Sequence, residues 1–333
     1  NLTGAGDINA NTGDVTINST AGGVSPTGEI TANHALVTAQ NSSALVTNVS
    51  AIAVNITGAG ESITITQARD LVINDNDILT NNAGITVNLT TGNLTGNGSI
   101  DAGTENVTLN TAAGGITLNA AAGQVAGNLL TVLSRDNATL STTVDELVAD
   151  VIGPGQSLTL VETDNLTIGA AKVIADDTID LTVQNGNLDR AGEINAASGN
   201  GTVILSVPNG YITGTGVIAA QTIDWTAYGA LDTTNTSFDY YSGNLTGPGD
   251  LLITMTKDLT INNVTTADGN ITVQNATQNL TINGTVQAGN NAQSDVTLNL
   301  AGGSITSNAN ASIAGSLLTV TANSSSSLNT DNI

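Results

Sequence analysis

The 333-residue chain has no cysteine, a single histidine and only five Lys and Arg residues. Without Cys there are no disulfides, thiolate metal sites or Cys nucleophiles, and His34 alone argues against His-clustered metal sites and a His-based triad. The bases Arg69, Arg135, Lys172, Arg190 and Lys257 are scattered. Contacts to several phosphates need them clustered, so nucleic acid is excluded as a partner. No run approaches the roughly 18–20 apolar residues of a membrane helix, and no basic segment with an apolar stretch opens the chain, so membrane insertion is not expected. Because the chain begins at Asn1, it reads as a processed protein or a part of a longer one. Aromatic residues make up 2% and charged residues 10%, whereas a typical soluble domain has about 25% charged residues.

What fills the chain instead is Asn, Thr, Ser, Gly and aliphatic residues. The 28 acidic side chains give a net charge of −23, yet 39% of the residues are hydrophobic, which is not the profile of a chain too polar to form a core. Internal repeats decide how to read it. Asn93–Ile116, NLTGNGSIDAGTENVTLNTAAGGI, aligns without gaps with Asn1–Val24, NLTGAGDINANTGDVTINSTAGGV, at an offset of 93 − 1 = 92. Leu45–Ile73 aligns with Leu140–Ile168 at 140 − 45 = 95, and Leu71, Leu166 and Leu259 are 95 and 93 residues apart. The super-repeat of 92–95 residues divides the chain into copies at about 1–92, 93–186, 187–278 and a partial 279–333.

Inside each copy a Gly-rich turn precedes an alternating run, as in Ile63-Thr64-Ile65, Ile85-Thr86-Val87, Val107-Thr108-Leu109 and Leu158-Thr159-Leu160. Period-two alternation rich in β-branched residues marks half-buried strands. Helix templates fail; the best exception, Thr142–Ala149, has no support in its Val- and Asn-rich counterpart Thr47–Val54. A strand about every 10 residues, no helical crossover and few large core residues predict an all-β fold, a single parallel β-helix of about 16 coils over residues 1–333. Stacked coils place aliphatic side chains over one another inside and Thr and Asn in rows outside. Gly22-Gly23, Gly114-Gly115, Gly302-Gly303 and Pro208-Asn209-Gly210 fall at matching corners, where positive φ is expected. Ala59-Gly60, Pro154-Gly155 and Pro248-Gly249 mark a second recurrent turn.

The phrase G-x-I-x-A-x-x-G-D-V-T-I at Gly6–Ile17, echoed at Gly98–Leu109 and Gly269–Val273, resembles the filamentous-haemagglutinin-type repeats of large adhesins exported by two-partner secretion. The resemblance covers essentially the whole chain. It implies a right-handed β-helix and an extracellular or cell-surface location. No Asn-Pro dipeptide occurs, so the Asn-Pro-Asn motifs of that family's secretion domain are missing and the segment reads as shaft.

All six aromatic residues, Tyr211, Trp225, Tyr228, Phe238, Tyr240 and Tyr241, lie in the third copy. They form a candidate patch for glycans or a partner protein; the competing reading packs them on the solenoid itself. About twenty Asn-x-Ser/Thr sequons occur, among them Asn18, Asn48, Asn55, Asn93, Asn137, Asn165, Asn244, Asn270 and Asn279. They are candidate N-glycosylation sites, although strands alternating Asn, aliphatic and Thr generate the motif without selection for it. Asp75, Asp77, Asp176, Asp177 and Asp180 could offer oxygens to Ca²⁺, but no EF-hand spacing is present and solvated corners are the plainer reading. No other cofactor and no catalytic residue is expected.

Polysaccharide-active enzymes also use β-helices and form the rival class, but they need converging carboxylates or a base beside them, which the scattered Arg69 and Lys257 do not supply. Thr64-Ile65-Thr66 and Thr254-Met255-Thr256 suggest an ice-binding face, but they form no unbroken ladder. His34 aligns with Leu129 and reads as a core or edge residue. The expectation is a structural segment of an adhesin or surface filament, with partners that are end-to-end copies or a continuing chain, and host or neighbour-cell glycans or proteins.

Overall fold

The computed structural model describes residues 1–73, 77–120, 123–229, 231, 236–289 and 293–328. It is all-β, a parallel β-solenoid of about 15 turns with no helix among the described residues. By its internal contacts the chain divides into two units, Asn1–Leu166 with Val173–Asp176, and Thr167–Lys172 with Asp177–Ile333.

In the first unit the aliphatic-Thr-aliphatic triplets stack in register. Ile63 pairs with Ile85, Ile85 with Val107, Val107 with Leu130 and Leu130 with Leu147. A second row runs Leu71, Leu94, Ile116, Ala138 and Leu158. These side chains are almost wholly buried. Alternation turns the residue between them outward, so Thr64, Thr86, Thr108 and Thr131 form a column over four successive coils. The neighbouring column from Thr66 passes to Asn88, Asn110 and Leu133, so a double Thr rank does not form.

The super-repeat is visible in strand lengths. The long pair Ile30–Ala39 and Ser43–Ala59 recurs 95 residues later as Val125–Ser134 and Ala138–Val151. Both Thr47–Val54 and Thr142–Ala149, the only helix-like window, lie in the middle of these strands. In the second unit the rows run Ile179, Val203, Ile223, Tyr241 and Ile261, and Leu251, Ile271, Val296 and Leu318. One coil takes 17 residues at its shortest, Leu130 to Leu147, and 27 at its longest, Val286 to Ile313.

The two families of Gly turns differ in cause. Gly60, Gly155 and Gly249 have φ of +73°, +68° and +134°, which Gly adopts without steric cost. The Gly-Gly corners do not take the positive φ expected of them. There the next coil passes too close for a side chain: a Cβ on Gly115 would lie 2.7 Å from the Asn137 carbonyl oxygen.

Candidate functional site

Corner chemistry explains most of the polar sequence. The Leu94 amide donates to the Gly115 carbonyl (3.0 Å), while the Gly115 amide donates back to Asn93 Oδ1 (2.8 Å). The backbone and the side chain thus stitch one coil to the next in both directions. The same stitch joins Asn1-Leu2 to Gly23, Asn187-Leu188 to Tyr211 and Asn279-Leu280 to Ser304, once in each copy. Asn137 stitches to Ser157 and Asn270 to Asp295. Aspartate does the same: Asp7 accepts from Glu29, Asp70 from Asn93, Asp77 from Ser99, Asp250 from Asn270 and Asp258 from Asn279. Hydrogen bonds from the Asn279 backbone and side chain hold the Asp258 carboxyl below its ordinary range. Those from Ser42 do so for Glu61.

This geometry sorts the sequon asparagines. Asn93, Asn137, Asn270 and Asn279 spend their carboxamide oxygens on the stitch, and Asn93 and Asn279 also donate through Nδ2 to Asp70 and Asp258. Where the stitch falls in Asn-Leu-Thr, as at Asn93 and Asn279, the Asn stitches, the Leu enters the core and the Thr faces out, so there the sequon arises from solenoid geometry. Asn18, Asn55 and Asn244 are exposed within strands, Asn244 accepting from Thr265. Asn48 is half-buried beside Arg69, and Asn165 is exposed at a strand start.

Asp77, Asp176 and Asp177 are likewise corner groups, whereas Asp180 lies within the strand Thr178–Val183. Besides Asp77, Asp176 accepts from the Gly155 amide (2.6 Å) and Asp177 from Thr178. Asp180 is half-buried, and desolvation raises its pKa. Asp75 lies outside the described residues. Among the described residues no three His, Asp or Glu side chains gather as metal ligands. An open groove of about 250 Å³ in the first unit has Asp145 and Asp164 in its lining and no basic side chain. Lys257 pairs with Asp239 (2.8 Å) and Lys172 with Glu193 (2.7 Å). His34 sits half-buried in the strand Ile30–Ala39, paired in register with Asp14 and Ala51.

The six aromatic residues do not make one surface patch. Trp225, Phe238 and Tyr241 are core residues, 1%, 6% and 0% exposed. Trp225 Nε1 donates to Tyr241 Oη (2.8 Å) inside the coil, and burial pushes the Tyr241 phenol pKa up against that bond. Room for the indole comes from Gly243, its register partner, where a Cβ would lie 2.5 Å from Trp225 Nε1. Strand alternation sends Tyr240 out as it sends Tyr241 in. Tyr211, Tyr228 and Tyr240 are exposed, and the rings of Tyr211 and Tyr228 meet edge to face, centroids 5.6 Å apart with planes at 79°.

Three buried polar side chains, Gln67, Glu162 and Arg190, carry no signal in the sequence when taken one residue at a time. Gln67 and Glu162 stand 162 − 67 = 95 residues apart, and both are buried. Gln67 Oε1 accepts from Thr47 Oγ1 and the Val49 amide; Glu162 Oε2 accepts from Thr142 Oγ1 and the Val144 amide, at equivalent positions. Their far ends differ. The Gln67 amide donates to the Val49 and Asp70 carbonyls, whereas Glu162 Oε1 accepts from the Thr163 and Asp164 amides. Burial raises the Glu162 pKa, and these hydrogen bonds pull it back. Arg190, 1% exposed, is turned inward by the alternation Leu188-Asp189-Arg190 and donates to the Gly214 and Gly216 carbonyls. The shared 95-residue offset of Thr47/Thr142 and Gln67/Glu162 was the available signal.

The chain matches no protein-family model, no curated protein and no solved structure. The fold and its residues therefore carry the functional reading.

Proposed function

We propose that this chain is a structural segment of an extracellular adhesin or cell-surface filament, of the filamentous-haemagglutinin type its repeats resemble, acting as a stiff shaft with a repeated surface. The observation behind this reading is the Asn-Leu stitch, which recurs once in each of the four copies on one pattern of two hydrogen bonds. Its polar residues hold coil to coil rather than converge on a substrate. The reading assigns no catalysis, and the groove that holds the Asp145 and Asp164 carboxylates is the place where the turnover test below bears on it.

Antibody labelling of intact cells tests the location, and a panel of polysaccharides incubated with the purified protein tests for turnover. Surface labelling without turnover is expected. Signal only after lysis, or cleavage of any polysaccharide, would overturn the proposal.

A further inference from the structure

The third copy alters one corner in a way the fold does not require. The residue that receives the Asn stitch is Gly23 in the first copy, Gly115 in the second, Tyr211 in the third and Ser304 in the fourth, with the same backbone bonds each time. One coil further on, the amide that donates to the preceding corner glycine belongs to Asn41 in the first copy, Asp136 in the second and Tyr228 in the third. A glycine and a polar turn residue have thus both been replaced by tyrosines, and the two rings meet at 5.6 Å. They remain 49% and 39% exposed.

The next coils are shaped to seat them. A Cβ on Gly229 would collide with the Tyr211 ring, and one on Gly247 would collide with the Tyr228 carbonyl oxygen and lie 2.8 Å from its ring. Each phenol therefore lies close to bare backbone, and both rings stay partly open to solvent around their edge-to-face contact. Exposed Asn209 and Thr246 flank the corner, Thr246 donating to the Pro208 and Ala227 carbonyls.

We infer that Tyr211 and Tyr228 form a docking point for a linear, uncharged polysaccharide. The apolar C–H face of a pyranose fits the right angle between two aromatic planes, and its hydroxyls meet a polar rim. The corner is open rather than a closed pocket, which suits a chain passing over it instead of a buried chain end. Charge selects the class: a protein of net charge −23 repels uronic or sialic acids, and at this corner the position of Asp136 has become an uncharged ring. This docking point rests on the surface role proposed above but not on the shaft.

The test is titration of the purified chain with a neutral linear hexasaccharide, read by NMR of the tyrosine ring protons. The variant Tyr211→Gly with Tyr228→Asn carries residues that the first copy already tolerates, and the emission of Trp225, the only tryptophan, reports that the fold is kept. Weak binding is expected, at least ~10-fold weaker in this double variant. Gly229→Ala should weaken it through displacement of Tyr211, and Tyr240→Ala should leave it unchanged. No binding of the neutral chain, binding that survives the double variant, or preference for an anionic oligosaccharide or a branched mannose-rich glycan would overturn the inference. None of these outcomes touches the surface-labelling result, so the two proposals fail separately.

Discussion

Asn93 shows how much a single side chain does in this fold. Its oxygen takes the one Gly115 amide hydrogen that the parallel ladder leaves over, and its nitrogen reaches Asp70 in the preceding coil. Replacing Asn187, which makes the same bond to Tyr211, by Ala should cost about 1 kcal/mol of stability. Chemical denaturation of the variant checks this. Acid should loosen the Asp258 stitch. The Asp258 pKa is lowered in the folded chain, so its contribution is present above the unfolded value and is lost as pH falls through the folded one. Amide exchange at Asn279, corrected for intrinsic rate, should quicken over that window, and Asp258→Asn should flatten the response. In the core, Gly243→Ala would press a methyl group against Trp225 and should destabilise by ~1–3 kcal/mol. A lower melting temperature with shifted Trp emission is the expected signature.

Strands and turns are largely legible in the sequence. The aliphatic-Thr-aliphatic triplets became the stacked rows in register because alternation ties burial to position, and the 95-residue offset became a repeated pair of long strands. The corners were read less well. At Gly-Gly, close approach of the next coil rather than positive φ is what requires glycine, and that distance depends on contacts between residues about 20 apart. The aromatic cluster was located but not divided, since neither the inward turn of Tyr241 nor the space above Trp225 shows without the register Trp225–Gly243. Gln67 and Glu162 were missed because single polar residues in strands look like surface. Glu162→Ala should destabilise by ~1–3 kcal/mol, since the Thr142 hydroxyl and the Val144 and Asp164 amides lose their carboxylate acceptor. Glu162→Gln should cost less, since the first copy holds Gln67 in the same frame.

Across the molecule, the composition has one explanation. Few charges, few aromatic residues and abundant Asn, Thr and Gly are what a stack of coils uses when each coil is fastened to the next by side-chain and backbone bonds. Such a stack resists tension locally, with each coil held mainly by its neighbours. Single-molecule pulling between the two ends of the chain tests this most directly. The account predicts that coils peel away one after another, each step releasing the 17–27 residues of one coil, on the order of 60–90 Å of chain. A single rupture releasing the whole chain, or extension without measurable resistance, would contradict it.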